Sequence, residues 1–378
     1  MNDSEAMAKA IEVASAVRGF TSPNPWVGRV IQAVECGVFT GATSPPGGPH
    51  AEAVALAAAG SAAKGATVWV TLEPCSHTGR TPPCADALID SGVTRVVVGI
   101  EDPDPRVAGA GISRLRDAGI EVEVGVEAPA VRMQLAPYLK HRITGRPWVV
   151  LKLGASIDGR TAARDGSSRW ITGATARADA HQLRADSDAV VVGANTVRAD
   201  DPSLTVRHVE GRDPLRVVLG QAAPEAKVQP AIEFQGDLDD LLVQLGERGV
   251  LQVLVEGGAT VAGEFHRRQL VDQYVFYLAP VIFGGSDGRP MFGGPGAPTI
   301  SDVWRGSFSS VTPLGADLRV DLLADLDPLV GGAVPVGRAV DATDGPTTGS
   351  VPVATLDLPI PTATVGRPDQ DDTVPKES

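Results

Sequence analysis

The amino-acid sequence predicts an α/β protein built from two successive layered units and a C-terminal tail. Three observations carry this reading. Helix-like and strand-like patterns alternate through the first 140 or so residues, and a second set of apolar, β-branched runs begins at Trp148. From residue 327 the composition then shifts to Pro, Gly and Thr with no aromatic residue. Alternating helices and buried strands argue a sheet covered by helices, and 378 residues exceed a typical domain of roughly 100 to 200.

In the first unit, spanning 1–142, helices are expected over 3–18, 50–60, 84–91, 106–118 and 127–140. Strands are expected at "VGRVIQAV", "ATVWVTLEP", "VTRVVVGIED" and "IEVEVGV". "HRITGRPW", residues 141–148, reads as a connector, because Gly145 and Pro147 break a continuing helix. The second unit, 147–326, carries strand-like runs at "WVVLKLGAS", "SDAVVVGA", "LRVVLG", "VLQVLVEGG" and "VDQYVFYLAPVIFGG". Residues 327–378 read as a disordered tail, since so little apolar surface cannot offset the entropy of ordering it.

Composition narrows the function. Lys and Arg number 33 against 46 Asp and Glu, a formal charge of −13 that disfavours nucleic acid or an anionic membrane as partner and favours a small ligand. The N-terminal "MNDSEAMAKAIEVAS" is acidic and amphipathic rather than a basic segment before an apolar run, and no apolar stretch reaches the ~18 residues of a membrane span. A cytoplasmic location is expected. Three cysteines are too few for a disulfide framework, and in a reducing compartment a Cys pair with a nearby His suggests metal or catalysis.

The chemistry starts at "GGPHAEAVAL", where His50 and Glu52 stand at the start of an Ala-rich helix. A structural helix start would be met by Ser, Asp or Asn. Downstream, in "TLEPCSHTGRTPPCADALI", Cys75 follows a strand and Cys84 opens another helix. Three N and S ligands leave a tetrahedral Zn²⁺ one open corner, the coordination of a catalytic site, and lower the pKa of a bound water towards ~7. Helix N-termini at His50 and Cys84 favour a thiolate. Glu52 faces away from a ligand position two residues from His50 but suits a proton shuttle. His, a skipped residue, Glu, then Pro-Cys and a second Cys is the zinc nucleobase-deaminase pattern. Arg80, in the long loop between the cysteines, is a candidate partner for a substrate phosphate. Cys36 reads as packing only. A zinc staple in an interaction protein is the non-enzymatic alternative; it normally recruits a fourth protein ligand, for which His77 is the only nearby candidate.

Neither half holds GxGxxG after a strand, so a nucleotide cofactor must be held another way. "TSPNPWVG", "GGPHAE", "EPCSHTGRTPPC" and "DPDPRVAGAGI", followed by "LKLGASIDGRTA", "SSRWITG", "ADDPSLTVR", "VLVEGGATVAGEF" and "LAPVIFGG", resemble the bacterial bifunctional riboflavin-biosynthesis deaminase/reductases over roughly residues 3–325. The resemblance implies a cytidine-deaminase-like α/β/α domain and a dihydrofolate-reductase-like α/β domain. It implies one zinc ion per chain on His50, Cys75 and Cys84, Glu52 as proton shuttle, and Asn24 against the pyrimidine or ribose of a small phosphorylated pyrimidine substrate. In the second half it implies NADPH bordered by Gly154, Trp170, Thr196, Asp200, Gly257 and Gly258. Ser168, Arg184, Leu204, Arg207 and Glu256 would hold the substrate, with Lys152 and Asp158 near the site. A homodimer or higher homo-oligomer is also implied.

None of the departures removes a predicted metal ligand or Glu52. The family usually has an aromatic-His pair before its "GGPHAE" segment, where this chain offers Thr43 and no histidine; Asp104 stands where Asn is usual, Gly154 where Ala is usual, and Gly220 where Asp often closes the strand. The competing reading is a single-function zinc deaminase with a C-terminal ligand-binding module.

Overall fold

A computed structural model describes residues 1–35, 37–76 and 83–324. The expected tail at 327–378, Cys36, His77 and Arg80 lie outside the described residues.

The first unit opens with α1 (Asp3–Ser15), followed by β1 (Gly28–Gln32), β2 (Val38–Ala42), α2 (Ala51–Ala59), β3 (Thr67–Leu72), α3 (Cys84–Ser91), β4 (Arg95–Ile100), α4 (Ala110–Asp117), β5 (Glu121–Val124), α5 (Ala128–Gln134) and α6 (Ala136–Thr144). A capping box starts α1: the Asn2 side chain accepts from the Glu5 N–H at 2.8 Å, and the Asn2 N–H donates to the Glu5 carboxylate at 3.1 Å. Its buried stripe of Ala6, Met7, Ala10 and Ala14 follows the helical period. The sheet runs β2-β1-β3-β4-β5, with β1 antiparallel to both neighbours and β3, β4 and β5 parallel.

Successive strand residues face opposite sides of a sheet, and two glycines show which helix covers which side. A Cβ on Gly28 would lie 1.9 Å from the Ala10 carbonyl oxygen of α1, whereas one on Gly41, opposite Arg29, would lie 2.5 Å from the Ala51 carbonyl oxygen of α2. The helices therefore sandwich the sheet, and the absence of a side chain at Gly41 is what lets α2 sit against β2.

The second unit comprises β6 (Trp148–Ser156), β7 (Arg160–Ala162), α7 (Ala174–Ala185), β8 (Ala189–Gly193), α8 (Ala194–Asp200), β9 (Leu215–Leu219), β10 (Ile232–Phe234), α9 (Leu238–Glu247), β11 (Gln252–Val255), α10 (Ala259–Arg267), β12 (Gln273–Ala279), β13 (Arg289–Pro290), β14 (Ser307–Leu314) and β15 (Asp317–Leu323). Its sheet has the order β10-β9-β8-β11-β6-β12-β15-β14, parallel through β12 and closed by an antiparallel hairpin. Strands buried on both faces read as unbroken apolar runs. Trp148, Val150, Val190, Val192 and Leu254 pack with Ala180, Leu183 and Val197 of α7 and α8, while Val149, Leu151, Val191, Val253 and Val255 pack with Leu241, Leu245 and Phe265 of α9 and α10.

Several boundaries differ from expectation. The helix expected over 127–140 is two, because Pro137 lacks the N–H needed to continue and sits instead in the first turn of α6. The expected connector is helical as far as Thr144 and stops at Gly145, φ +70°. The helix expected from 106 starts at Ala110, since the chain turns at Gly109, φ +82°, to present its amides to Glu73. Strands β2, β7, β10 and β13 and the hairpin β14–β15 were not anticipated; β14 is exposed along nearly its whole length, so it lacks the buried alternation that marks a strand. Among the described residues no helix is long and apolar enough to cross a membrane.

Candidate active sites

His50 is the N-cap residue of α2 and Cys84 the first residue of α3, so both project from helix N-termini, as expected. Cys75 lies just past β3, and the Cys84 N–H donates to its sulfur at 3.4 Å. His50 Nδ1 stands 3.3 Å from Cys84 Sγ and 3.8 Å from Cys75 Sγ, and the three ligand atoms all lie within 4.8 Å of one another. Zn–S bonds of about 2.3 Å and Zn–N bonds of about 2.0–2.1 Å place neighbouring corners of a tetrahedron roughly 3.5 to 3.8 Å apart, so the donor set fits zinc. Among the described residues no further His, Cys, Asp or Glu joins the cluster.

The protonation of the cluster points the same way. Hydrogen bonding from Cys84, helped by His50, pulls the Cys75 thiol down to about 4 despite its burial. The same bond, together with burial, pushes Cys84 up, and the bond to Cys75 raises His50. A metal ion bound by these three facing groups would displace their protons.

Two features of the surrounding backbone hold this geometry. A Cβ on Gly111 would lie 1.9 Å from the Pro74 carbonyl oxygen, so α4 packs directly on the turn before Cys75. The buried Glu73 carboxylate gathers that turn by accepting N–H groups from Asp102 at 3.2 Å, Gly109 at 2.9 Å, Gly111 at 2.9 Å and Ile112 at 3.2 Å. Negative charge at a helix start is favourable and satisfies its orphan donors. Sequence reasoning missed Glu73, although an acidic residue between a strand and Pro-Cys was a visible signal.

A cavity of about 430 Å³ opens beside the cluster and is lined by Asn24, Thr43, His50, Glu52, Glu73, Cys75, Asp102, Asp104, Arg106, Tyr138 and Arg142, among others. Glu52 is 6% exposed at its side chain, with Oε1 3.0 Å from Nη2 of the fully buried Arg29. That contact is an ion pair without hydrogen-bond alignment, which leaves all three Arg29 side-chain nitrogens short of a hydrogen-bond partner, and burial pulls the guanidinium pKa down. Arg29 was not singled out from sequence, since nothing in "VGRVIQ" says that its strand position faces the metal cluster. Thr43 spends its hydroxyl on the Val27 N–H at 3.0 Å. Burial raises Asp102, to which the Tyr138 hydroxyl donates at 3.1 Å.

The second site is a wide cleft of about 1220 Å³ that includes Ser168, Thr196, Asp200, Gly257 and Gly258 among its lining residues. Gly258 is the N-cap residue of α10, so its backbone and that of Gly257 border the positive end of a helix. Glu256 lies next to them with its carboxylate buried: Lys152 Nζ is 3.1 Å and Arg184 Nη2 2.9 Å away, and Arg184 Nε also donates to it. Burial alone would push this carboxyl up, but the two cations outweigh it and hold it at about 2. Arg184 Nη1 also reaches the Thr205 carbonyl at 3.3 Å. Leu204 is 3% exposed at φ +53°, and Arg207 Nη1 donates to Thr205 Oγ1 at 2.8 Å. Trp170 is 70% exposed under the Arg177 guanidinium, 4.5 Å from the ring centre. Gly154 pairs with Tyr277 in the neighbouring strand. Gly154, Trp170, Arg184, Leu204, Arg207 and Glu256 are thus off the wall of this cleft. Asp158 holds the Gly284 N–H at 2.9 Å.

Fold and site together define a zinc-type nucleobase deaminase joined to an α/β unit with a glycine-lined cleft. The family model for the cytidine and deoxycytidylate deaminase zinc-binding region matches residues 1–100, and that for the RibD C-terminal domain matches residues 147–320. The riboflavin biosynthesis protein RibD of Escherichia coli strain K12 is 39% identical over 366 residues, covering 85% of this chain and 100% of that protein. The RibD protein of Mycobacterium tuberculosis H37Rv is 43% identical over 333 residues, covering 85% and 97%. The crystal form 1 structure of Acinetobacter baumannii RibD superposes with a TM-score of 0.79 at 39% identity, covering 85% of this chain and 98% of that one. A Thermotoga maritima structure titled a diaminohydroxyphosphoribosylaminopyrimidine deaminase/5-amino-6-(5-phosphoribosylamino)uracil reductase gives 0.77 at 34%, with the same coverage. This chain belongs to the RibD family.

Proposed function

We propose that the chain is a bifunctional riboflavin-biosynthesis enzyme. Its 1–142 unit hydrolytically deaminates 2,5-diamino-6-(5-phosphoribosylamino)pyrimidin-4-one, and its 147–326 unit then reduces the ribosyl to the ribityl side chain with NADPH. The observation that carries the reading is the convergence of His50, Cys75 and Cys84, with ligand atoms within 4.8 Å, at a cavity that Glu52 also lines. The second family match argues against an idle C-terminal binding module.

In the deaminase cavity His50, Cys75 and Cys84 are the metal ligands, and zinc there supplies the Lewis acid that makes water a nucleophile at neutral pH. Glu52 takes a proton from the attacking water and delivers it to the leaving amino group, which departs as ammonia. Arg29 engages one Glu52 oxygen and leaves the other for proton transfer. Asn24, on the cavity wall, meets the pyrimidine or ribose.

In the cleft, NADPH supplies the hydride, and the protein's work is to orient it. Thr196, Asp200, Gly257 and Gly258, all on the cleft wall, border the cofactor, where the start of α10 suits a phosphate, and Ser168 on the same wall meets the substrate. The family resemblance adds Gly154 and Trp170 for the cofactor and Arg184, Leu204, Arg207 and Glu256 for the substrate, although these six lie off that wall. The buried ion pairs of Glu256 with Lys152 and Arg184 brace the turn that presents Gly257 and Gly258.

A cytoplasmic setting supplies NADPH and keeps Cys75 and Cys84 reduced for the metal. A homodimer is favoured by the open edge of β14, where Phe308 and Val311 are 73% and 56% exposed; sedimentation of the purified chain at monomer mass would remove it. The test of function is product mass after incubating zinc-loaded protein with the diaminopyrimidinone phosphate. Without NADPH an amino group should exchange for oxygen, and with NADPH two hydrogens should be added. No exchange, or no hydrogen gain when the deaminated intermediate is supplied, overturns the corresponding half.

A further inference from the structure

The segment from Arg18 to Trp26 is a run of turns that lines the deaminase cavity with Pro23, Asn24 and Pro25. Its two ends meet: the Arg18 guanidinium lies over the Trp26 ring, 5.1 Å from the centre, and Trp26 is buried. Between them the Asn24 N–H donates to the carbonyl of the buried Thr21 at 2.9 Å. Whatever fixes Arg18 therefore also fixes the turn that carries Asn24.

Arg18 is fixed by the second unit. Its Nη2 donates to the side-chain oxygen of Gln252, the first residue of β11, at 2.6 Å. Gln252 is 2% exposed, and its amide nitrogen donates to Ser187 Oγ at 3.0 Å and to the Asp186 carbonyl at 3.3 Å. Both amide protons are spent inside the second unit, so the oxygen is left facing Arg18. A hydrogen bond from a charged donor is stronger than a neutral one. The backbones pack as closely. A Cβ on Gly19 would lie 2.4 Å from the Ala185 carbonyl oxygen, one on Gly249 would lie 3.4 Å from Pro23 Cβ, and Leu251 is 1% exposed in the core of the first unit. Packing at interior density passes a displacement on rather than absorbing it.

We propose that Gln252 and Arg18 are positioning residues of the deaminase, through which the second unit sets where Asn24 stands in the cavity of the first. This rests on the deaminase reading above. Neither residue is on the cavity wall, so both act through the turn at Asn24. Their contact governs substrate binding rather than proton transfer, because Glu52 stands on α2 and is held by Arg29. The far end of β11 leads to Glu256, which Lys152 and Arg184 brace independently, so the reductase cleft does not depend on the same bond.

The test compares wild type, Q252L, R18M, the double variant, and N24A with and without Q252L, all as zinc-loaded full-length chains. Deamination of the diaminopyrimidinone phosphate gives KM and kcat, and hydrogen exchange reports the amides of residues 18–26. Q252L and R18M should each raise KM about tenfold with kcat and zinc content kept, and the double variant should be no worse than the worse of the two, since the same bond is lost in all three. Exchange should quicken in residues 18–26 and stay unchanged in α2 and β3. NADPH oxidation on supplied intermediate should continue in every variant, which shows that the chains fold; R18M keeps the comparison open if Q252L, which also strips a partner from Ser187, fails to fold. An unchanged KM in R18M, or a fall in kcat together with zinc loss, overturns the proposal, as does a Q252L effect that persists in full when Asn24 is alanine. If the wild type does not deaminate the compound, the functional reading fails instead, and exchange decides: quickening confined to residues 18–26 supports the positioning contact, and unchanged exchange, or quickening throughout the first unit, overturns it.

Discussion

The two sites of this chain solve the same task, holding a small phosphorylated molecule, with opposite architectures. The deaminase cavity is small, and its reactive groups are side chains near helix starts, the half-buried His50 and the buried Glu52 and Cys84, drawn together by backbone contacts at Gly41 and Gly111. The reductase cleft is nearly three times as large; glycines and short side chains make up much of its wall beside the charged Asp165, Arg198, Asp200 and Arg289, and the Glu256, Lys152 and Arg184 cluster lies off that wall. The difference follows from where the chemistry resides. Hydrolysis needs ligands and a proton carrier from the protein, whereas hydride transfer needs a shaped surface for a cofactor that carries the reaction itself.

The comparison breaks if the two sites fail together. The largest effect expected is from Cys84→Ser or from chelation of the metal: deamination falls beyond detection and zinc content drops, while NADPH-dependent reduction of supplied intermediate continues. Joint loss of both activities in the folded protein would show the sites to be one unit. Glu52→Gln should lower the deamination kcat by about 10²- to 10⁴-fold at unchanged zinc stoichiometry, since it removes proton transfer and no ligand; metal analysis beside steady-state rates checks this.

On the other side, Glu256→Gln leaves Lys152 and Arg184 as uncompensated buried cations and should cost about 3 to 5 kcal/mol, read as a lowered urea midpoint, while zinc content stays at one per chain. Because the two cations hold Glu256 at about 2, below its ordinary value of 4.5, the stability it contributes is complete above pH 4.5 and is lost as pH falls towards 2. Urea unfolding of wild type and variant across that window should therefore converge at its acid end. The smallest effect belongs to Asp3, whose carboxylate binds Arg95 at 2.8 and 2.9 Å and the Trp69 indole N–H at 2.8 Å. Asp3→Ala frees α1 from β3 and β4 at a cost of about 1 kcal/mol, seen as a Tm shift of a few degrees with both activities kept.

Much of the first site was legible because its groups have few other uses. A His at a helix start, a Glu two residues on, and two Pro-preceded cysteines form a pattern whose members are close in sequence or in register, and the structure brings His50, Glu52 and Cys75 to one cavity wall with Cys84 against His50 and Cys75. Glu73 was overlooked despite its place between a strand and Pro-Cys, and Arg29, Asp102 and Tyr138 were not legible, since an arginine inside a strand looks like any other until the chain is folded. In the second unit β6, β8, β9, β11 and β12 were readable as apolar runs, whereas the short β7 and β10 and the exposed hairpin from Ser307 to Leu323 were not. The cleft residues rested on motif resemblance, and Trp170, Leu204 and Arg207 came out beside the cleft rather than on its wall.

By itself the sequence determined the class of each half and singled out the His50, Cys75 and Cys84 cluster with Glu52 nearby, because apolar periodicity and ligand chemistry are local properties that survive without coordinates. Only the tertiary structure decided which charges meet: Arg29 under Glu52, and Lys152 and Arg184 around Glu256. Those pairings join residues from different strands, helices and turns, and their energies depend on distance and burial, neither of which exists until the sheets are assembled.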